Sequence, residues 1–297
     1  MKKSNYQRLL TVLPISFLLI GCGTDNAEGE EESTVGEDVE YTITATEPGA
    51  GLTELTHDTV AAYDNLEGWE VQESSTAGMI TSLDQAIQNE EPIIVTAWRP
   101  HWIFESYDLK FLDDPKNTLG EEEYVHTIAR LGLEEDKPEA YAVLDAFEWE
   151  AEDMQKMMLE AQDASFEEVT TDWMEENQEY VDELLEGIDP VDGESLELVS
   201  TPWDTERSSS SVMEAILEQL GYNVEVTNVD PVIMFQAIAT GEGDASLAPW
   251  LPSTHGSFLE EYGEDIVDLG PNMEGTLNGF VVPDYMDVDS IEDLPTP

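Results

Sequence analysis

The chain has 297 residues, enough to bury one large or two medium-sized hydrophobic cores, and its 7 Trp, 10 Tyr and 8 Phe argue against a disordered protein. It carries 68 Asp and Glu against 10 Lys and Arg, a formal net charge of −58. Nucleic acid is therefore excluded as a partner, because phosphate binding needs a basic surface. The acids are spread along the chain without the spacing of a calcium-binding loop, so we expect no metal site.

The N-terminus has the three parts of a secretory signal. Residues 1–21 contain the basic "MKKSNYQR" and the apolar "LLTVLPISFLLI", and the segment closes on "LIGC" at Cys22. "LIGC" resembles a bacterial lipobox, which implies a lipid-anchored protein on the extracellular face of the membrane; the alternative is an ordinary signal with an incidental cysteine. Cys22 is the only cysteine, so no disulfide is possible within the chain. Residues 22–40 are predicted to be an acidic, disordered tether.

From residue 41 the sequence contains an internal repeat, in which one pattern of strands and helices occurs twice. The first copy reads strand "YTITA", turn "TEPGAG", helix "LTELTHDTVAAYDN", strand "WEVQES", helix "AGMITSLDQAIQN" and strand "PIIVTAW". The second reads "LELVS", the turn "TPWDTE", then "SVMEAILEQLG", "YNVEVTNV", "PVIMFQAIATG" and "DASLAPW". Each copy ends on Trp-x-Pro. The alternation predicts parallel βαβ units, whose ligands bind beyond the carboxyl ends of the strands.

Between the copies, residues 104–190 are predicted to be mostly helical. Their methionine and tryptophan stripes are interpreted as core packing: Met154, Met157, Met158, Trp173, Met174 and also Trp149. The sequence lacks G-x-S-x-G, H-E-x-x-H, a P-loop and a complete G-x-G-x-x-G, so an enzyme is not predicted, and a secreted hydrolase is the less favoured alternative. No cofactor is expected.

Three tryptophans lie on stiff loops that follow apolar strands. Trp98, Trp203 and Trp250 each have a proline within two positions, which restricts the backbone. Indole faces that converge in a cleft attract a quaternary ammonium, although such cages also suit sugars and aromatic ligands.

A second group of residues is suited to an anion. The "GAG" turn before the first helix offers backbone N–H groups at Gly51 and Leu52, and His255 follows Trp250 by five positions. A cation cage beside an anion cradle would fit a zwitterion that has a methylated nitrogen and a carboxylate.

Several motifs carry a family resemblance: "EPGAGLT", "TAWRPHWIF", "YDLKFLDDPK", "WDTE", "IATGEGDASLAPWLPSTH" and "VVPDYM…SIEDL". From about residue 41 to the C-terminus the chain resembles the glycine betaine-binding lipoproteins of Gram-positive osmoprotectant ABC importers. The resemblance implies an α/β, two-lobed periplasmic-binding-protein fold of type II, with the ligand in the cleft between the lobes. The position of "SIEDL" at the end of the chain implies a circular permutation.

The resemblance also implies roles. Trp98, Trp203 and Trp250 would surround the trimethylammonium group, while Gly51, Leu52 and His255 would bind the carboxylate. His101 and Trp102 would support the cage without lining it.

Lobe I would comprise residues 41–110 completed by about 275–297, and residues 111–274 would hold the helical segment and lobe II. The implied partners are glycine betaine or a similar betaine, an ABC permease and its ATPase, and the membrane through Cys22, with the protein itself a monomer. The alternative in another class is a receptor that senses the osmolyte without transporting it.

The acidic composition is interpreted as adaptation to salt. In about 1 M salt the Debye length is only about 3 Å, so repulsion between surface carboxylates is largely screened. We therefore expect the stability of the protein to rise with salt concentration.

Overall fold

The computed structural model of the chain describes residues 33–297. The predicted signal peptide, Cys22 and part of the predicted tether lie outside these residues. The strands are β1 Thr42–Ala45, β2 Glu70–Glu73, β3 Val95–Arg99, β4 Leu109–Phe111, β5 Glu123–Arg130, β6 Ser195–Ser200, β7 Asn223–Asn228, β8 Ala245–Ser246, β9 Trp250–Leu251 and β10 Ile266–Pro283.

The helices alternate with these strands and cover the sheet. They are α1 Val35–Asp38, α2 Gly51–Ala62, α3 Thr76–Asn89, α4 Ile103–Ser106, α5 Leu133–Asp136, α6 Pro138–Ala146, α7 Ala151–Glu160, α8 Phe166–Glu176, α9 Gln178–Leu184, α10 Asp204–Leu220, α11 Pro231–Thr240 and α12 Gly256–Tyr262. Short 3₁₀ turns occupy Asp64–Leu66 and Ile291–Asp293. Within residues 33–297, no helix is both long enough and apolar enough to cross a bilayer.

The sequence repeat appears in the sheet as two parallel groups of strands. In the first, β1 lies between β2 and β3; in the second, β6 lies between β7 and β8. Each group has its first strand in the centre, because the second crossover passes over that strand and places the third strand on its other side. The predicted parallel repeat is therefore confirmed.

A long antiparallel strand joins the two groups. Residues 266–276 of β10 pair with β5, and residues 277–283 pair with β3 and β4. The resulting order is β2-β1-β3-β10-β5-β8-β6-β7. The pairing of β10 with β5 is interrupted between Asp268 and Thr276, where register shifts bend the strand. This curled, mixed sheet confirms the predicted two-lobed α/β fold of type II; the lobe boundaries and the circular permutation stay predictions.

The segment between the repeats differs from its prediction. Residues 104–190 contain α6 to α9, but they also contain β4 and β5, and β5 lies near the middle of the sheet. The last helical stretch of this segment is divided at Asn177 into α8 and α9. Met154, Met158 and Trp173 are buried in the main hydrophobic cluster, as their helical spacing predicted.

Helix α10 begins earlier than expected. The sequence predicted a turn over "TPWDTE" and a helix from residue 211, yet the helix starts at Asp204. Acidic residues in a first turn complement the positive end of the helix dipole. The serine hydroxyls inside the helix donate back to its carbonyls, Ser208 to Asp204 at 2.8 Å and Ser210 to Glu206 at 2.7 Å, so these polar residues do not interrupt it. The early start places Glu206 in the first turn.

Candidate functional site

One cavity lies at the carboxyl ends of the parallel strands. The space between its walls is about 380 Å³ when the opening to solvent is included. All six binding residues predicted from the sequence line it. The complete lining is Thr46, Ala50, Gly51, Leu52, Trp98, Trp203, Thr205, Glu206, Trp250, Thr254, His255 and Asn278.

The three indoles enter the cavity from different elements. Trp98 is the next-to-last residue of β3, Trp203 is the N-cap of α10 and Trp250 begins β9. The Trp250 Nε1 atom donates to Glu206 at 2.8 Å, and the Trp203 Nε1 atom donates to Glu47 at 3.1 Å. These bonds fix two rings at their edges, and the Trp98 ring is 8% exposed. Held in this way, the rings need little reordering when a ligand binds.

His101 packs behind Trp98. The two rings meet edge to face, with centroids 4.8 Å apart, and the Trp102 ring lies 5.6 Å beyond His101. Burial lowers the pKa of His101 to about 3, and its Nδ1 atom accepts the Ile103 N–H at 3.3 Å, so the ring is neutral. Neither His101 nor Trp102 lines the cavity.

The wall of the cavity also presents hydrogen-bond donors. Gly51 and Leu52 open α2, whose N-cap Ala50 gives no side-chain hydrogen bond to this end of the helix. The first amides of a helix lack intrahelical acceptors and favour an anion. The helix start therefore offers two main-chain donors to a carboxylate.

His255 has a defined tautomer. Its Nδ1 atom accepts the Trp250 N–H at 2.9 Å, and burial lowers its pKa to about 4. The ring is therefore neutral at pH 7 and carries its proton on Nε2, which makes Nε2 a donor. The same histidine thus positions the Trp250 backbone and offers an N–H group to a ligand.

A buried polar network supports the loop that carries these residues. Glu123 on β5 accepts the N–H groups of Ser253 and Thr254 at 2.6 and 2.7 Å. Asn278 on β10 donates to the Thr254 hydroxyl at 2.6 Å. No sequence pattern distinguished Glu123 among 68 acidic residues, so this support was missed.

Glu206 is a further cavity residue that sequence reasoning missed. Its carboxyl group accepts from the Thr205 hydroxyl as well as from Trp250, and it is 4% exposed. Burial raises its pKa to about 7, although the two hydrogen bonds act in the opposite direction. The only signal for Glu206 in the sequence was its place in the motif "WDTE". Because that motif was predicted to be a turn, a buried position for Glu206 was not expected.

Two contacts cross the cavity between the strand groups. Trp203 from the second group bonds to Glu47 in the loop after β1. Gly51 at the start of α2 lies so near the loop after β9 that an added Cβ would be 2.8 Å from the Thr254 Cγ2 atom and closer still to the Thr254 carbonyl oxygen. The two sides of the cavity are therefore in direct contact in this structure.

Comparison with known proteins identifies the family of the chain. The sequence model of the OpuAC family, described as the substrate binding domain of ABC-type glycine betaine transport systems, matches residues 25–176 and 194–297. The glycine betaine/carnitine transport binding protein GbuC of Listeria monocytogenes is 42% identical over 283 residues, which are 94% of each chain.

A solved structure provides a further comparison. The crystal structure of lactococcal OpuAC, in its closed-liganded conformation with glycine betaine, is 41% identical to this chain with a TM-score of 0.50. The match covers 54% of this chain and 63% of that chain. On the family match and the near-complete overlap with GbuC, this chain belongs to the OpuAC family of substrate-binding domains of ABC-type glycine betaine transport systems.

Proposed function

We propose that the cavity captures glycine betaine and related betaines outside the cell and delivers them to an ABC permease and its ATPase. The observation that carries the proposal is the convergence of three indoles and a set of anion-directed donors on one cavity. A ligand with a permanent cation at one end and a carboxylate at the other would use both ends. It would be bound and released unchanged.

The cationic end would occupy the space between Trp98, Trp203 and Trp250. A quaternary ammonium donates no hydrogen bonds, so its main attraction to the protein is to the negative faces of the rings. Each ring contributes about 0.5–2 kcal/mol, with the larger values in a desolvated site. The near-complete burial of Trp98 and Trp250 supports the desolvated case.

The carboxylate end would accept hydrogen bonds from the amides of Gly51 and Leu52 and from the Nε2–H of His255. A hydrogen bond to a charged group contributes about 1.5–3 kcal/mol. A ligand without the carboxylate leaves these donors buried and unpaired, so choline is expected to bind more weakly than glycine betaine.

Capture would be coupled to closure of the cleft. The first strand group supplies Gly51, Leu52 and Trp98, and the second supplies Trp203, Trp250 and His255. A ligand that touches both groups binds the closed form better than the open form and shifts the population toward it. The closed form would then dock on the permease. We further propose that Cys22 carries a lipid anchor and that the protein acts as a monomer.

Tryptophan fluorescence tests the cage. Glycine betaine is expected to change the emission of the wild-type protein, and Trp203→Ala is expected to weaken binding by about five- to thirtyfold, from about 1–2 kcal/mol of lost interaction. Trp173→Ala removes a buried indole outside the cavity and serves as the matched control. Unchanged affinity in Trp98→Ala, Trp203→Ala and Trp250→Ala together would refute the cage.

A further inference from the structure

Glu206 is a buried carboxyl group in the cavity without a cationic partner. Its Oε1 atom accepts from Trp250 Nε1 at 2.8 Å, and its Oε2 atom accepts from Thr205 Oγ1 at 2.5 Å. Among the ion pairs of residues 33–297, none involves Glu206. Because both oxygens act as acceptors, the surroundings are suited to a carboxylate anion.

The groups around Glu206 do not neutralise it. Asp204 on the same helix repels a negative charge there, and Arg207 is turned toward Asp204 at 3.4 Å. Across the cavity, Glu47 accepts hydrogen bonds from Trp203 and Thr76. Burial acts to raise the pKa of Glu47, but these hydrogen bonds outweigh it and lower the pKa, so Glu47 is anionic at neutral pH. His255 is neutral at this pH. Among the described residues, a negative charge on Glu206 therefore has no compensating protein cation.

A buried carboxylate without a partner is costly, and such groups are normally paired or protonated. Burial raises the pKa of Glu206 to about 7, so without a neighbouring cation the carboxyl group is a mixture of both forms at neutral pH. An organic cation in the indole cage would lie against Trp250, to whose ring edge Glu206 is bonded. The carboxylate also polarises the indole through the N–H bond, which strengthens its attraction for a cation.

We propose, on the basis of the proposed function, that Glu206 supplies the counter-charge for the ligand's quaternary ammonium, so that capture of a betaine releases a proton from Glu206 to solvent. The O–H bond of the neutral carboxyl breaks, the proton passes to water or buffer, and the carboxylate remains beside the cation. Glu206 is then a specificity-determining residue, because a ligand of the same shape without the cationic group gains nothing from its ionisation.

Calorimetry of the wild-type protein tests the proton release directly. Glycine betaine is titrated at pH 6.5 in two buffers with different ionisation enthalpies. If the ligand lowers the pKa of Glu206 by about one unit, about half a proton is released per ligand, and affinity rises about five- to tenfold between pH 5.5 and 8.5. Binding without proton release at any pH in this range overturns the role of Glu206 but leaves the proposed function standing. No binding of any betaine overturns the proposed function itself.

Variants test whether the proton released on ligand binding comes from Glu206. Glu206→Gln keeps an oxygen that can accept from Trp250 but cannot ionise, so we expect binding without proton release and with affinity independent of pH. Thr205→Val removes a hydrogen bond that favours the anion, and it is expected to move the proton release to higher pH. His57→Gln removes an exposed histidine paired with Glu73 and is expected to behave as the wild type.

An isostere that lacks the cationic group tests the specificity. 3,3-Dimethylbutanoate replaces the ammonium nitrogen of glycine betaine with carbon and keeps the carboxylate. The preference of the wild type for glycine betaine over this compound is expected to fall about fivefold or more in Glu206→Gln, in line with the affinity gained on ionisation. Equal preference in the two proteins, or proton release that persists in Glu206→Gln, contradicts the proposal.

Discussion

The contact between Gly51 and Thr254 allows a substitution that separates closure from ligand chemistry. Gly51 lies in the first turn of α2 and has an ordinary helical backbone, so its conformation does not require glycine. What requires glycine is the closeness of the loop after β9. Gly51→Ala keeps the main-chain N–H that is proposed to face the carboxylate, and it adds one methyl group at the point where the two sides of the cavity meet.

The size of the effect follows from the distance. The new Cβ would lie 2.8 Å from the Thr254 Cγ2 atom, whereas ordinary contacts begin near 3.4 Å. The closed form must therefore open by at least several tenths of an ångström, against a loop held by Glu123 and Asn278. Overpacking of this kind costs about 1–3 kcal/mol, which corresponds to about five- to 150-fold weaker ligand binding.

Calorimetry with glycine betaine and thermal denaturation without ligand together test this prediction. Separation of the two sides of the cavity would relieve the clash, and alanine favours a helix over glycine by about 1 kcal/mol, so we expect the ligand-free protein to be as stable as the wild type or more so. Gly256→Ala is the matched control, since Gly256 also opens a helix and a Cβ there meets no atom within 4 Å. Full affinity in Gly51→Ala would refute the view that ligand binding needs this contact.

Three further predictions concern stability. Asp244→Asn should lower the free energy of unfolding by about 3 kcal/mol in a urea titration, because Asp244 pairs with both Arg130 at 2.8 Å and Lys137 at 2.6 Å. The control is Asp289→Asn, which removes an ion pair whose carboxylate is 80% exposed. It should change the free energy of unfolding by less than about 1 kcal/mol. For His255, the folded pKa of about 4 lies below the ordinary 6.5, so the unfolded chain takes up the proton first as pH falls. This stability contribution, about 2–3 kcal/mol, is present above pH 6.5 and lost toward pH 4, and urea titrations at pH 7 and 4.5 should show a smaller loss in His255→Gln. The Tm should rise between low and molar NaCl, because screening relieves repulsion among the 68 carboxylates, and a flat or falling Tm would contradict the interpretation of the charge as salt adaptation.

Local periodicity accounts for the parts of the fold that the sequence predicted. The alternating strands and amphipathic helices of the two repeats were recognisable because each element contains its own apolar pattern. Trp98 and Trp250 could be paired from the residue order alone, since they end equivalent strands. Their shared cavity follows from the rule that the carboxyl ends of parallel strands meet at one edge.

The elements that join the repeats were not predictable in the same way. Strand β10 runs from Ile266 to Pro283, but Gly270, Pro271 and Gly275 interrupt its pattern, and its pairing depends on partners far away in sequence. Strand β5 was concealed among helical segments for the same reason. Helix α10 was predicted to begin late because its first turn is polar.

The site residues that the sequence did not predict were missed for one physical reason. Glu206 and Glu123 differ from most of the other described carboxylates in being buried, and burial is a property of the folded chain. In a sequence with 68 acidic residues, their residue type has no value as a signal. The tautomer of His255 likewise depends on its bond to the Trp250 backbone, which exists only after the loop has folded.

The central claim is that one small zwitterion uses both ends of the cavity at once. Calorimetric titration of the wild-type protein with glycine betaine, choline and 3,3-dimethylbutanoate tests it most directly, since each of the latter two lacks one charged end. Glycine betaine is expected to bind at one site per chain, and each of the others at least about tenfold more weakly, from the loss of about 1.5 kcal/mol or more at the missing end. Choline or 3,3-dimethylbutanoate binding as tightly as glycine betaine would contradict the claim.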